Sequence, residues 1–284
     1  MQNNQKYKGL VLTDLDGTFL NTTGGINEAN LQALNKLHDN GIARAVCTGR
    51  TLNSAREVVP CGLPFDFLVF SSGAGISDFS KDNILSRHSL VAEDIINLKE
   101  FFKAKNVDFS IHFPIPDNHF FYWFSGPVKS PDLISRLHYL KEFAIEGNDE
   151  LVRRLTAATQ FLIIIPDEYL SLYDEAKSNF KHLSFVRATS PLTPKYTWIE
   201  VFPDKVTKGT GAEWLCRYLG LSKEQTMSIG NDYNDIQMLE WTGSAFVMEN
   251  SPDDLKKRFK VCPSNEFDGF AVAVDEWLNH IFKG

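Results

Sequence analysis

Short apolar runs of strand length, each followed by a polar cluster and then by a segment of helical period, mark both ends of the chain. Tyr7 to Thr13 closes on Leu10-Val11-Leu12 and runs straight into Asp14-Leu15-Asp16-Gly17-Thr18. Leu31, Leu34 and Leu37 then give Asn27 to Asn40 helical spacing, with Gly41 as a stop. Ile42 to Cys47 is a second strand, ending at Thr48-Gly49-Arg50. Thr51 to Val59 reads as a helix closed by Pro60, and Phe65 to Phe70 as a third strand ending at Ser71-Ser72-Gly73. Strands separated by helices pair in parallel and need helices on both faces of the sheet. In such open sheets, ligands bind beyond the carboxyl ends of the strands, which is where the polar clusters fall.

From about residue 82 to 190 the rhythm breaks and aromatic residues accumulate. His112-Phe113, Phe120 to Phe124, Phe161 to Ile165 and Leu183 to Arg187 read as strands of another sheet. Ile95 to Lys103, Pro131 to Phe143 and Glu168 to Asn179 read as helices. The first rhythm resumes near Tyr196. Thr197 to Phe202 is strand-like, Lys208 to Leu219 is a helix closed by Gly220, and Thr226 to Ile229 is a strand ending at Gly230-Asn231-Asp232. Ile236 to Leu239 continues a helix, Ala245 to Met248 is a strand, and Phe270 to Phe282 is a final amphipathic helix. The expected architecture is α/β: a doubly wound, Rossmann-like parallel-sheet core (residues 1–81 and 191–284) carrying an inserted α+β domain (residues 82–190).

The 284 residues carry a net charge of −7, with 43% hydrophobic and 23% charged residues. That composition suits a globular chain and lacks the basic excess of a general nucleic-acid binder. No apolar run approaches the ~20 residues that span a bilayer. No signal-like segment follows the polar start, and Cys47, Cys61, Cys216 and Cys262 form no CxxC pair. The expectation is a cytoplasmic protein with reduced core thiols and no nucleic-acid or membrane partner; oligomeric state is left open.

Asp14 and Asp16 stand two apart at the end of a buried strand, followed by Gly17, which permits close approach of a ligand. Two carboxylates this close repel by about 4 kcal/mol at an effective dielectric near 20, so a cation, a shared proton or chemistry has to compensate. A solvated turn is the plainer alternative. Asp232 and Asp235, interleaved with Asn231 and Asn234, form a second polar group, although Asp232 also suits a helix N-cap. If the two strands are neighbours, these oxygens converge in a set suited to Mg²⁺, with no His–Cys grouping for a softer metal. Thr48-Gly49 offers a hydroxyl and backbone N–H groups to an anion. Lys208, at a helix start, can reach a phosphoryl oxygen, though alone it reads as a surface residue.

Asp14-Leu-Asp-Gly-Thr, Thr48-Gly-Arg, Lys208-Gly and Gly230-Asn-Asp-Tyr-Asn-Asp, in that order, resemble the haloacid dehalogenase superfamily of phosphohydrolases. The place of the insert resembles the Cof-type branch with its large α+β cap, as do Phe70-Ser-Ser-Gly-Ala and Asp268-Gly-Phe-Ala. The resemblance covers essentially the whole chain, the cap by position only. It implies that Asp14 is the nucleophile, forming an aspartyl-phosphate. Asp16 is implied as acid and then base, and its being Asp argues for hydrolysis. It further implies Thr18, Thr48, Gly49, Lys208 and Asn234 as phosphate contacts, with Asn234 orienting Lys208 or the phosphate. Mg²⁺ is implied on Asp14, the Asp16 carbonyl, Asn231 and Asp235. The family motif has Asp where this chain has Asn231. We take Asn231 as the direct ligand, with Asp232 the alternative, and expect weaker Mg²⁺ binding than with Asp.

The implied substrate is a small phosphorylated metabolite, with sugar phosphates first. Arg87, His112, Tyr122, Trp123, Arg153 and Arg154 are candidate contacts in the cap, against the plainer reading of cap core and surface. A phosphomutase and a non-catalytic phosphate-ligand sensor are the competing readings.

Overall fold

A computed structural model describes residues 6–59, 62–79 and 81–283. Pro60 and Cys61 lie outside the described residues. The chain divides into two compact units. The first holds residues 1–50, 54–86 and 207–284, and the second holds residues 51–53 and 87–206.

The first unit is built on an eight-stranded sheet. Its order is Lys260–Cys262, Ser244–Met248, Thr226–Gly230, Gly9–Thr13, Ile42–Cys47, Phe67–Phe70, Gly75–Asp78 and Asn83–Arg87. The first six strands are parallel to their neighbours, and Gly75–Asp78 turns back antiparallel on Phe67–Phe70. The central strands are buried throughout, as the unbroken apolar runs require when helices cover both faces. Leu10, Leu12, Ala43 and Ala45 pack with Ala212 and Leu215 of the helix Lys208–Tyr218 and with Met238 of Ile236–Trp241. The helices Glu28–Asp39 and Gly269–Lys283 pack on each other and bury Leu34, Leu37, Phe270 and Val274.

From Gly9–Thr13 the chain builds outward through Ile42–Cys47. From Thr226–Gly230 it builds the other way, through Ser244–Met248. The switch of direction falls between Gly9–Thr13 and Thr226–Gly230, which pair directly from Leu10↔Thr226 to Thr13↔Ile229. The crevice such a switch opens lies at the carboxyl ends of these two strands, and both acidic clusters follow there.

The second unit has its own six-stranded sheet, ordered Ser184–Thr189, Tyr196–Phe202, Gln160–Pro166, Asp108–His112, Phe121–Phe124 and Ala144–Glu146. One face buries Phe109, Ile111, Phe161, Ile163, Ile199 and Val201 with Ile95, Leu98 and Phe102 of the helix Ala92–Ala104. The helix Pro131–Tyr139 packs Leu133 against Phe121, Trp123 and Ile164 on the other face.

The division differs from the expected one, falling after Ser86 and after Val206 and not at 81 and 190. Tyr196–Phe202 pairs antiparallel with Gln160–Pro166 on one side and Ser184–Thr189 on the other, so it belongs to the inserted sheet. A strand followed directly by a helix looks locally like a βα unit. What decides its sheet is burial of Ile199 and Val201 against Phe161 and Phe185, a contact of long sequence range. Among the described residues, Cys47, Cys216 and Cys262 are free and buried, and burial pushes each thiol up. No helix among them is long and apolar enough to cross a membrane.

Candidate active site

The site is assembled from four chain segments of the first unit, and the fold positions each by a local device. Asp14 directly follows the strand Gly9–Thr13, and its backbone N–H still donates to Ile229 O at 3.0 Å, so its place is set by the sheet ladder. Lys208 opens a helix whose N-cap is Thr207. The Thr207 Oγ1 accepts from Thr210 N at 3.2 Å, and Thr210 Oγ1 accepts from Thr207 N at 3.0 Å. Two orphan N–H groups are thereby satisfied and the first helical residue is fixed.

Lys208 is fully buried, contrary to the surface reading of a lone helix-start lysine. Its ammonium donates to Asp14 Oδ1 at 2.7 Å, to Asp235 Oδ1 at 2.7 Å and more weakly to Asn234 Oδ1 at 3.5 Å. Three N–H donors thus meet three acceptors, the condition under which a buried ammonium is tolerated. Burial alone would lower its pKa, but Asp14 and Asp235 outweigh that and hold it well above the usual lysine value.

Asp14 is 6% exposed. Burial, reinforced by Asp235 and Asp16 and opposed by Lys208, pushes its carboxyl up to about 7. Its Oδ2 faces the Thr18 hydroxyl at 3.5 Å. Asp235 is buried and both its oxygens are engaged. Oδ1 accepts from Lys208, and Oδ2 accepts the backbone N–H groups of Asn231 at 2.9 Å and Asp232 at 3.1 Å. Asp235 thereby shapes the loop and holds Lys208. Asp232 is the N-cap of the turn Tyr233–Asp235, as the capping alternative anticipated.

Asn231 completes the cluster. The carboxamide atom that lies 3.0 Å from Asp16 O, 3.2 Å from Asp14 Oδ2 and 3.2 Å from Thr18 Oγ1 meets oxygens only, so in this arrangement it is the NH₂ nitrogen. Gly17, at φ +70°, lets the chain pass this amide: a Cβ there would fall 2.5 Å from an atom of the Asn231 carboxamide.

Asp16 stands apart from this buried set. Arg50 Nε and a terminal guanidinium nitrogen each donate to its carboxylate at 2.7 Å, a bidentate pair. Arg50 in turn has its N–H on Thr48 Oγ1 at 3.1 Å. Thr48 is buried with its carbonyl accepting from Ser72 N, and Gly49 is half-buried beside it. The role of Arg50 escaped the reading of the sequence. The signal was present in its place directly after Thr48-Gly49 at a strand end.

Ser71, Ser72 and Gly73 all have positive φ, at 46°, 51° and 103°. A Cβ at Gly73 would fall 2.3 Å from the Thr207 carbonyl. The loop therefore packs closely against the start of the Lys208 helix, and the surrounding structure holds these backbone angles.

Of the candidates in the second unit, Tyr122 and Trp123 pack into its cores. Arg87, Arg153 and Arg154 are exposed, and Arg154 pairs with Glu150. His112 is buried, bonded through Nδ1 to Asn118 O at 2.9 Å and through Nε2 to Arg136 at 3.1 Å. Burial, with Arg136 beside it, lowers His112 to about 3. Arg136, which was not anticipated, lies between the Phe121 and Trp198 rings, its carbon 5.2 and 5.1 Å from their centroids.

Among the described residues no three His, Cys, Asp or Glu side chains gather as a metal cluster. The donor set that fits a hard divalent ion is mixed: Asp14 Oδ2, the Asp16 carbonyl and the Asn231 carboxamide. The Asn231 carboxamide lies 3.0 Å from Asp16 O and 3.2 Å from Asp14 Oδ2, so the three groups converge on one place.

A buried carboxylate held by a buried lysine thus stands at the switch point of a doubly wound sheet, where ligands bind. The chain belongs to the haloacid dehalogenase-like hydrolases, whose family model matches residues 11–274. It is a hydrolase of that family. It is 26% identical to the 5-amino-6-(5-phospho-D-ribitylamino)uracil phosphatase YwtE of Bacillus subtilis, over 95% of this chain and 98% of that protein. A second B. subtilis phosphatase of the same name, YcsE, is 26% identical over 95% of each. The phosphatase BT1666 of Bacteroides thetaiotaomicron superposes with a TM-score of 0.78 at 19% identity, covering 97% of each chain. The subclass IIB sugar phosphatase BT4131 gives 0.75 at 20% identity, covering 95% of this chain and 98% of that one. The two superpositions establish the fold.

Proposed function

We propose that this enzyme removes phosphate from a small phosphorylated metabolite, a sugar or polyol phosphate, through a phosphoryl group carried on Asp14. The observation that carries the reading is the pairing of Asp14 Oδ1 with Lys208 at 2.7 Å while Oδ2 faces Thr18 and Asn231. A carboxylate so held has its charge balanced and its plane fixed, as an attacking group requires.

Asp14 attacks phosphorus and Lys208 balances the negative charge that accumulates. Thr18 and Thr48, with the N–H groups about Gly49, supply donors for phosphoryl oxygens. Asp16 gives a proton to the leaving alkoxide and takes one from the water that cleaves the acyl phosphate. Because both its oxygens are engaged by Arg50, Asp16 reaches a substrate oxygen only when that pair loosens, and Arg50 sets where it waits. Asp14, the Asp16 carbonyl and Asn231 would hold Mg²⁺, which when bound would supply positive charge that shields the nucleophile from the phosphate dianion. The sugar or polyol class is supported by the relatives: YwtE and YcsE are named for a 5-phospho-D-ribityl compound, and BT4131 for sugar phosphates.

Phosphate release from a panel of sugar and polyol phosphates, with Mg²⁺ or with EDTA, tests this. Release that needs Mg²⁺ and disappears in Asp14→Asn is expected. Release unaffected by EDTA, or retained in Asp14→Asn, contradicts it. Transfer of label back to substrate and not to water would favour a mutase.

A further inference from the structure

Resting on the cation part of the reading above, we propose that Asn231 is a built-in competitor for the divalent cation as well as its ligand. The two roles are exchanged by rotating one carboxamide in place. With NH₂ inward, the amide donates to Asp16 O at 3.0 Å and Asp14 Oδ2 at 3.2 Å, the two oxygens a cation would bridge. A neutral group thereby does for the metal-free site what the ion does for the loaded one.

With oxygen inward, the same atom position faces the same two oxygens, acceptor against acceptor, and only a cation among them makes that tolerable. The third neighbour does not discriminate. The Thr18 hydroxyl at 3.2 Å accepts from the NH₂ in one orientation and donates to the carbonyl oxygen in the other. The loop need not move, because the Asn231 backbone N–H is fixed on Asp235 Oδ2 at 2.9 Å and Gly17 leaves the carboxamide its space. Cation binding in this chain therefore includes the loss of two amide hydrogen bonds. An aspartate at 231 has no donor to lose and adds a charge. An alanine loses a ligand and a competitor together.

The test is direct cation binding, by calorimetry with Mg²⁺ and by electron paramagnetic resonance with Mn²⁺, on wild type, Asn231→Asp and Asn231→Ala. Thermal unfolding of each variant checks its fold. The expected result is binding at least about tenfold tighter in Asn231→Asp, and in Asn231→Ala binding within about threefold of wild type or tighter. Binding more than about threefold weaker in Asn231→Ala would show that Asn231 is only a ligand, and would overturn the competitor role while leaving the phosphatase reading intact. No cation binding in any of the three would overturn both the cation part of that reading and this one. Should Asn231→Ala not fold, the Asn231 side-chain NH₂ resonances of wild type decide. Solvent exchange of these protons that is slow without cation and faster with it is expected; exchange indifferent to the cation contradicts the proposal.

Discussion

Asp14 has two demands on it: to stay buried, and to carry charge when it attacks. Burial raises its carboxyl to about 7, so the folded chain holds that proton more tightly than the unfolded chain, where the ordinary value is 3.8. Between those two values the folded state binds more protons at Asp14, and the contribution of this group to stability falls as pH rises. In metal-free protein we expect a loss on the order of a few kcal/mol from pH 4 to pH 7, discounted for the coupling to Lys208. Asn at position 14 should flatten that slope, and urea unfolding at several pH values in EDTA measures it. His112 contributes with the opposite sign over this range, so the difference between wild type and Asp14→Asn is what is read, and a difference that rises with pH would mean that Lys208 outweighs burial. Arg50 makes a different prediction, because it touches Asp16 and not the buried set. Arg50→Ala should lower kcat about tenfold or more, the scale of a misplaced acid–base group, with a smaller effect on KM. An unchanged kcat would leave Arg50 no part in placing Asp16.

The helix Lys208–Tyr218 shows how much of catalysis is decided by where an element begins. Its first residue carries the ammonium, and Gly73 of a distant loop lies against the Thr207 carbonyl just before it. Gly73→Ala meets that carbonyl and a φ of 103° at once, so it should cost about 3 kcal/mol and displace Lys208. Denaturant unfolding with a parallel phosphate-release assay checks both effects, and a variant with wild-type midpoint and rate contradicts the coupling. Much of this was legible in the sequence. Ile42–Cys47 appears with the expected bounds, because an unbroken apolar run between a Gly stop and a Thr-Gly cluster leaves little choice. The strands Gly75–Asp78 and Asn83–Arg87 were not anticipated. They extend the sheet by tertiary pairing, and their sequences carry no alternation strong enough to announce them. Asp14, Lys208 and Asn231 were legible as a set from their order along the chain. The Arg50–Asp16 pair and the inward amide of Asn231 were not, because they depend on side-chain rotation within a few ångströms.

The chain holds two units with separate cores, and their responses to acid should differ. His112, in the inserted unit, is held neutral down to about 3 by burial and Arg136, against 6.5 when exposed. The unfolded chain takes up that proton first, so the stability it confers is present above 6.5 and is lost as pH falls toward 3. At pH 5 the loss is about 2 kcal/mol. Trp123 and Trp198 report on this unit, and Trp214, Trp241 and Trp277 on the other. On acidification the first pair should change fluorescence before the second group, and His112→Gln should remove the lead. Simultaneous change in wild type would mean that the two units unfold together.

The role of Asp14 is open to one direct observation. The enzyme is mixed with a phosphomonoester it turns over, quenched in acid within the first turnover, digested, and examined by mass spectrometry. A phosphoryl group on the peptide containing Asp14, absent in Asp14→Asn and lost on a longer delay before quenching, is the expected result. Phosphate release with no phosphoryl group on that peptide at any delay, together with turnover in Asp14→Asn, would contradict it.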